Sequence, residues 1–393
     1  IRLSLVGSEM CIRDSNNVVA MTGLIVFGAV FPGVDTGNAR AWTSDMVALL
    51  AGSTTLAVAA QALILLVFWR RAGLTFRPDF HWRGVGLSTT GKAASWMFGM
   101  IVVAQLAGIV QANVASLAAG SEAPSLAVLR FSWLIFMLPH SVVAVSLATA
   151  YFTRMSTHSR DGDLPRVRAD FRDSVSRIGL FMVLAAVGLL VVALPFARQF
   201  AVSADSVSAM ALVIMLYVLG LIPFSVLFVI QRVFYALEDT RTPFFVQVVQ
   251  AVVFVSLALA VATLPTDQIA YGLALSATIA GWIQCALALI LLRRKLGGLD
   301  TRVVLGRFGV FLLATIPAAV AGLALLMVLG GNDRDGFLLS SAPAAGIGML
   351  AITLVMTLVY STTLLIGKNS DMLAVWNPIR SRLGLRERGS SSA

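Results

Sequence analysis

Six polar side chains within the long apolar stretches of the sequence are candidates for a binding cavity, because polar groups there are costly to bury and often mark function. Arg130 lies in the apolar stretch Leu126 to Leu138. Its guanidinium either reaches the lipid headgroups or lines a water-filled cavity and binds an anionic group. The other candidates for a cavity wall are uncharged: Gln111, Asn113, Ser141, Gln247 and Gln250. Each of these could instead hydrogen-bond one helix to another. The set predicts non-covalent binding, and we assign no catalytic residue.

The sequence predicts neither a metal site nor a cofactor. Of its 2 cysteines, Cys285 lies in an apolar stretch and Cys11 lies near the start, so the thiols form no cluster. We place all 19 acidic residues outside the apolar stretches, which leaves no carboxylate relay within the membrane. His140 follows Pro139, and we interpret it as a neutral packing residue.

Hydropathy predicts the elements that hold these side chains. One membrane crossing needs about 20 apolar helical residues, and this chain is 58% hydrophobic and only 12% charged. We predict an all-α integral membrane protein with about ten transmembrane segments. They lie near 16–34, 45–69, 92–118, 126–153, 175–200, 207–236, 244–264, 269–292, 305–329 and 341–367. Proline at positions such as Pro139, Pro195 and Pro223 predicts bends in several of them.

Arginine and lysine gather in every second connecting segment. Segments around 70–92, 154–177, 237–243 and 293–307, with the tail 368–393, hold most of the basic residues. By the positive-inside rule these segments face the cytoplasm. We therefore predict a multi-pass protein of the bacterial plasma membrane with a cytoplasmic C-terminus. The net charge of +10 then indicates orientation, and we expect no nucleic acid as a partner.

Residues 1–15 do not fit this pattern. They begin without Met, mix polar with charged residues, and lack the basic region, apolar core and cleavage site of a signal peptide. We interpret them as a non-native leader. Ten segments and a cytoplasmic C-terminus put Asn16 in the cytoplasm as well, so we expect the native protein to contain an even number of further segments before Asn16.

Two local motifs make the chain resemble the MurJ/MviN lipid II flippase family of the MOP exporter superfamily. Leu138 to Thr149, with Pro139 near its start, resembles the eighth transmembrane segment of that family. Arg232 to Pro243 resembles its tenth segment and the cytoplasmic turn that follows, and this motif is the more specific one. The motif residues are Pro139, Arg232, Tyr235, Asp239, Arg241, Thr242 and Pro243. The composition is typical of the actinobacterial branch.

The resemblance implies a fold and a substrate. The ten segments would be the fifth to fourteenth of a 14-helix flippase: 16–91 ends an N-terminal lobe, 92–304 forms a six-helix C-terminal lobe, 305–367 adds two helices that form a groove for a lipid tail, and 368–393 is a basic tail. The implied substrate is undecaprenyl-pyrophosphoryl disaccharide-pentapeptide, lipid II, moved outward by alternating access. Membrane lipids and cell-wall synthesis or divisome proteins are the implied partners.

The sequence departs from the family at one cavity position. The family usually carries Arg five residues before the proline of its eighth segment, and here that residue is Leu134. Arg130 lies one helical turn earlier on the same face. The family's other cavity arginines belong to segments that precede this chain, so we expect the chain alone not to transport.

Three alternatives remain open. Another MOP exporter, for drugs or lipid-linked polysaccharide units, would share the bent helices, but a drug antiporter should show a buried carboxylate. A polyprenyl-linked glycosyltransferase would need large outer loops with catalytic residues, whereas the predicted outer loops are short. A non-transporting scaffold for cell-wall assembly would bind no lipid-linked substrate.

Overall fold

In a computed structural model the chain is a succession of helices, and the structure describes residues 2–34, 42–71, 87–118, 126–201, 203–331 and 336–382. The helices are α1 (Arg2–Val30), α2 (Ser44–Arg71), α3 (Leu87–Ser116), α4 (Leu126–Pro139), α5 (Val145–Arg160), α6 (Leu164–Val191), α7 (Ala193–Ala197), α8 (Ala204–Val218), α9 (Leu221–Ala236), α10 (Arg241–Val261), α11 (Ile269–Lys295), α12 (Thr301–Val328), α13 (Phe337–Ser340), α14 (Ala342–Ile366) and α15 (Ser370–Arg382). No β-strand occurs among these described residues. The predicted all-α class is confirmed.

The hydrophobic helices are long enough to cross a membrane. Within the described ranges eight helices meet that requirement by length and composition, and α8 with α9 make a ninth crossing that is bent by 40°. The first predicted segment, 16–34, contains a shorter apolar helical stretch, Asn16–Val30. The membrane-spanning class of the chain is therefore confirmed, with eight or nine full-length crossings in the described residues.

The chain divides into two compact units, Ile1–Val85 and Gly86–Ala393. In the first unit α1 and α2 form a helical hairpin. The Phe27 ring stacks on Trp42, with 5.8 Å between the ring centroids, and Gly23 faces Ser53 closely. The second unit holds α3 to α15. The finer division at 91, 304 and 367 stays a prediction.

The helices extend beyond the apolar segments. We predicted a connecting segment at 154–177, but α5 continues to Arg160 and α6 begins at Leu164. Asp163 caps α6 by accepting a hydrogen bond from the backbone N–H of Arg166, and Pro165 occupies the first turn, where its missing N–H costs nothing. Hydropathy marks what the membrane buries, whereas capping and propensity decide where a helix begins.

The helical path of the second unit is interrupted at two places that lie next to each other. A π-helical turn, His140–Ala144, follows Pro139 and joins α4 to α5. Gly220 separates α8 from α9, and Pro223 lies in the first turn of α9. The two irregular segments contact each other, because Nδ1 of His140 lies 3.1 Å from Oγ of Ser225. The bend predicted near Pro223 is confirmed by the 40° angle between α8 and α9. Pro139 precedes the π-helical turn within one long span, and Pro195 lies in the short helix α7 that follows the end of α6.

Helix α6 belongs to two hydrophobic cores through different faces. Phe171, Val175 and Ile178 pack into the larger core, to which α3 to α11 contribute. Leu180 and Val183 pack into a smaller core with α12 and α14. The hydroxyl of Tyr360 on α14 also donates to the carbonyl oxygen of Leu180 at 2.8 Å. Helix α6 is thus the shared wall of the second unit.

Candidate functional site

A cavity of about 350 Å³ lies within the second unit. Its wall is formed by α3, α4, the bend between α8 and α9, α10 and α11. The lining residues are Ala104, Ala107, Gly108, Gln111, Leu126, Leu129, Arg130, Trp133, Phe136, Tyr217, Gly220, Phe224, Gln247, Gln250, Phe254, Ala277, Thr278, Gly281 and Gln284. The volume is at the lower end of the roughly 300–1,000 Å³ of small-molecule sites.

Three glutamines on the wall form a hydrogen-bonded chain. Nε2 of Gln284 donates to Oε1 of Gln247 at 3.0 Å, and Nε2 of Gln247 donates to Oε1 of Gln250 at 2.9 Å. Gln247 and Gln250 lie three residues apart on α10 and so share one face. Their chain ends in the amide N–H groups of Gln250 on one side and in the amide oxygen of Gln284 on the other.

Aromatic rings cover another part of the wall. The rings of Trp133 and Phe136 stack at 4.8 Å between centroids, and Phe136 meets Phe224 edge-on at 5.3 Å. Tyr217 packs edge-on against Trp133 at 5.6 Å and accepts a hydrogen bond from Nε2 of Gln111 at 3.4 Å. The cavity therefore offers apolar ring faces next to amide groups.

Arg130 carries the charge of this cavity. It lies in the second turn of α4 and lines the wall, and it is the one described lining residue whose side chain is charged at neutral pH. No ion pair joins it to a carboxylate of the described residues. Its guanidinium is thus free to pair with an anion of a ligand.

The structure brings four of the six candidate cavity residues together. Arg130, Gln111, Gln247 and Gln250 line the cavity. Asn113 does not, and its amide donates to the carbonyl oxygen of Ile109. Residues two apart on a helix point to different faces, so Gln111 and Asn113 cannot share this wall. Ser141 is also outside it and donates to the carbonyl oxygen of Met137.

The motif residues from Arg232 to Pro243 lie away from the cavity wall. The Asp239 carboxylate accepts hydrogen bonds from the backbone N–H and the hydroxyl of Thr242, at 2.9 and 2.7 Å, and it pairs with Lys295 at the end of α11. Burial raises the pKa of Asp239, but the hydrogen bonds from Lys295 and Thr242 outweigh burial and lower the pKa below its ordinary value. Asp239 thus closes the α9–α10 turn, where Glu238 has a φ of 57°.

The arginines of this motif stack on aromatic rings. The guanidinium of Arg232 lies 4.7 Å from the ring centroid of Phe228. That of Arg241 lies 5.6 Å from the ring of Phe245, next to Pro243, which is buried in the first turn of α10. The hydroxyl of Tyr235 lies 3.9 Å from the sulfur of Met100. Between helices, Arg232 also lies 5.7 Å from the ring of Phe152 on α5 and Arg241 lies 5.8 Å from the ring of Trp96 on α3, so the motif joins α9 and α10 to their neighbours.

Sequence reasoning missed a buried carboxylate in the first turns of α6. Asp170 is only 3% exposed, lies inside α6 and pairs with Arg154 at 2.7 Å and with His158 at 3.6 Å. Asp170 lies outside the predicted apolar segment 175–200, but α6 begins at Leu164 and therefore carries both Asp170 and Asp173 within a helix. The spacing of Arg154 and His158, four residues apart on α5, was the signal for a shared partner.

Ion pairs join the connecting segments of this end. Arg172 pairs with Asp300 at 3.1 Å, which links α6 to the α11–α12 connection, and Lys295 links α11 to the α9–α10 turn. We call this region, with Arg154 and Asp170, the basic end. Among the described residues no group of three or more His, Cys, Asp or Glu side chains could hold a metal ion.

Comparisons with known proteins agree on one family. The family model described as lipid II flippase MurJ matches residues 15–344. A protein of Rhizobium meliloti (strain 1021) named probable lipid II flippase MurJ is 30% identical over 261 residues, which are 64% of this chain and 45% of that protein. A protein of the same name from Haemophilus influenzae (strain ATCC 51907 / DSM 11121 / KW20 / Rd) is 25% identical over 272 residues, which are 66% of this chain and 51% of that protein.

A solved structure has the same fold. It is a lipid II flippase MurJ in an inward closed conformation, and it aligns with a TM-score of 0.60 at 18% identity over 90% of this chain and 66% of that chain. This likeness concerns the fold alone. The chain spans about half the length of the curated relatives it matches.

Proposed function

Because this chain belongs to the lipid II flippase MurJ family, we propose that it forms part of a flippase that moves lipid II from the cytoplasmic to the outer leaflet. The substrate is undecaprenyl-pyrophosphoryl disaccharide-pentapeptide. The step is transport, and no covalent bond of the substrate is made or broken. The observation that carries this proposal is that Arg130 lines the cavity, and we propose that its guanidinium pairs with the pyrophosphate.

The physical reason for a cavity is the headgroup. A pyrophosphate with a hydrophilic disaccharide-peptide would cost many kcal/mol in hydrocarbon, so it must cross inside the protein while the prenyl chain stays in lipid. A polar cavity among transmembrane helices supplies such a path. Alternating access needs helices that bend, and two of the helices that line the cavity are interrupted, at His140–Ala144 and at Gly220.

We propose an orientation and partners on the same basis. The basic end faces the cytoplasm of a bacterial plasma membrane, since loops rich in arginine are retained there, and the tail 368–393 lies on the same side. Helices α12 and α14 are proposed to hold the prenyl chain, and the ten hydrophobic segments to be the fifth to fourteenth of the family's fourteen. Membrane lipids and cell-wall synthesis or divisome proteins are the proposed partners.

Substrate competition tests this proposal. The purified chain in nanodiscs is offered equimolar lipid II, undecaprenyl phosphate and a polyprenyl-pyrophosphate-linked polysaccharide unit, and native mass spectrometry counts each complex. We expect lipid II to dominate. Preference for the polysaccharide lipid would support the other exporter class, and equal occupancy by all three would refute a specific transport role.

A matched pair of arginine variants tests the role of Arg130. Arg130→Ala removes the guanidinium from the cavity wall, whereas Arg160→Ala removes one from the exposed end of α5. A charge-assisted hydrogen bond contributes about 1.5–3 kcal/mol, so we expect Arg130→Ala to weaken lipid II binding roughly tenfold or more and Arg160→Ala to leave it unchanged. Equal binding by both variants would remove Arg130 from the site.

A further inference from the structure

The cavity in the second unit is poor in charge and rich in amides. Its polar lining residues are Gln111, Arg130, Tyr217, Gln247, Gln250, Thr278 and Gln284. A pyrophosphate in a dry site needs several cationic groups around it, and a single guanidinium neutralises only part of its charge. Most of this wall is therefore suited to an uncharged ligand group.

The glutamine chain leaves one donor end and one acceptor end, and all three glutamines line the same cavity. Each amide has two N–H donors and an oxygen with two lone pairs. The oxygen of Gln247 accepts a hydrogen bond from Gln284, and one of its N–H groups donates to Gln250. Gln247 therefore orients the amide groups of both residues. The N–H groups of Gln250 and the oxygen of Gln284 have no hydrogen-bond partner among the described residues. Reversing all three amides would exchange the two ends and keep one of each kind.

A secondary amide is the complementary ligand group, because it presents one N–H and one C=O. The aromatic rings beside the glutamines narrow the choice further. Trp133 is 36% exposed and lines the cavity with Phe136 and Phe224. Aromatic faces are electron-rich and attract the weakly positive C–H groups on one face of a sugar ring. A sugar that carries an acetamido group satisfies both the rings and the amides.

We propose that this cavity binds an N-acetylated sugar of the lipid-linked headgroup. Gln250 and Gln284 hold the acetamido group, Trp133 covers the ring, and Gln247 acts as a positioning residue for the two amides. The cavity volume of about 350 Å³ admits a single sugar residue of this kind. This inference rests on the proposed function, since it assigns the sugar of the headgroup to the glutamines and Trp133 and leaves the pyrophosphate to Arg130.

Soluble headgroup fragments test the assignment without the lipid. The chain in nanodiscs is titrated with N,N′-diacetylchitobiose, with cellobiose, with the free pentapeptide and with inorganic pyrophosphate, and ligand contact is measured by saturation-transfer NMR. We expect the acetylated disaccharide to bind at least about tenfold more tightly than cellobiose, which lacks both acetamido groups. Tighter binding of the pentapeptide would move the amide site to the peptide and overturn the assignment to a sugar.

Glutamine variants locate the binding. Gln250→Leu and Gln284→Leu each remove one end of the amide pair, and Gln247→Leu removes the residue that positions both. We expect each to weaken diacetylchitobiose binding about three- to tenfold and to leave cellobiose unchanged. Gln105→Leu is the matched control, because Gln105 is exposed on α3 and does not line the cavity. Thermal unfolding of each variant separates lost binding from lost structure.

A second readout keeps the test independent of folding. Trp133→Phe keeps an aromatic ring on the wall but removes the indole, so ligand-dependent quenching of tryptophan fluorescence should be lost while NMR contact persists. If lipid II binds the chain but acetylation of the disaccharide changes nothing, the sugar assignment is wrong and the proposed function stands. If lipid II shows no preference over undecaprenyl phosphate, the proposed function fails instead.

Discussion

The close contact between α6 and α12 predicts that two glycines of α6 respond differently to replacement by alanine. A Cβ atom at Gly179 would lie 2.5, 2.8 and 3.0 Å from three ring atoms of Phe308. Carbon atoms prefer separations of about 3.5–4.0 Å, so the ring would have to retreat by about 1 Å. A Cβ atom at Gly188, also on α6, would meet nothing within 4 Å.

The two alanine variants share one favourable contribution and differ in one unfavourable contribution. Alanine replaces glycine in a helix interior with a gain of about 0.5–1 kcal/mol, which applies at both positions. Overpacking at Gly179 costs about 1–3 kcal/mol, which applies only there. The free energy of unfolding should therefore be about 1–3 kcal/mol lower for Gly179→Ala than for Gly188→Ala, and Gly188→Ala should be at least as stable as the parent chain.

Reversible unfolding in mixed detergent micelles, followed by circular dichroism, measures both variants. Gly179→Ala combined with Phe308→Ala is the rescue test: the smaller side chain removes the clash, so the two changes should be non-additive by about 1 kcal/mol or more. Equal stability of the two glycine variants, or strict additivity in the double variant, would refute the close packing of α6 on α12.

Three further outcomes are expected. Ser225→Ala leaves Nδ1 of buried His140 without its partner and should lower the free energy of unfolding by about 1–3 kcal/mol. The control Ser256→Ala removes an exposed hydroxyl bonded to its own helix and should change that free energy by no more than about 0.5 kcal/mol. A larger loss for Ser256→Ala than for Ser225→Ala would contradict the structure. Arg198→Met removes hydrogen bonds of 2.8 and 3.0 Å to the carbonyl oxygens of Leu339 and Ala201 and should destabilise by about 1.5–3 kcal/mol, whereas Arg160→Met should be neutral in the same unfolding assay. Folding lowers the pKa of Asp239 from its ordinary value of 3.8, so its contribution to stability is present above that pH and is lost as the pH falls below it. Between about pH 6 and about pH 3 the free energy of unfolding should therefore fall less for Asp239→Asn than for the parent chain. An identical fall in both would mean that the Lys295 and Thr242 contacts are absent from the folded state.

Hydropathy predicted the hydrophobic helices well because burial in a membrane depends mainly on the apolar length of a segment. It missed the extensions of α5 and α6, since Asp163 and Pro165 start a helix in polar sequence for reasons of capping and backbone geometry. Those two residues were visible as a helix start signal. The helix irregularities near Pro139 and Pro223 were also predictable, because proline removes a backbone donor wherever it stands.

The cavity was predictable only in part. Gln247 and Gln250 are three residues apart, so their shared face follows from helical periodicity alone. Gln284 on α11 joins them through a contact across 37 positions of sequence, and no local pattern encodes such a pairing. Asn113 was assigned to the same wall as Gln111 although their spacing of two opposes it. Trp133 and Tyr217 resembled ordinary packing residues until the fold brought them together.

The position of α6 between two cores limits how the second unit can rearrange. Rotation of α6 about its own axis would withdraw Ile178 from one core and Leu180 from the other. The packing of both cores therefore opposes this rotation. Sliding along the axis is opposed by the hydrogen bond from Tyr360 and by the close approach at Gly179. Helix α6 therefore ties the two cores together, and any bending at the two interruptions takes place against it, because α5, α8 and α9 pack directly on α6.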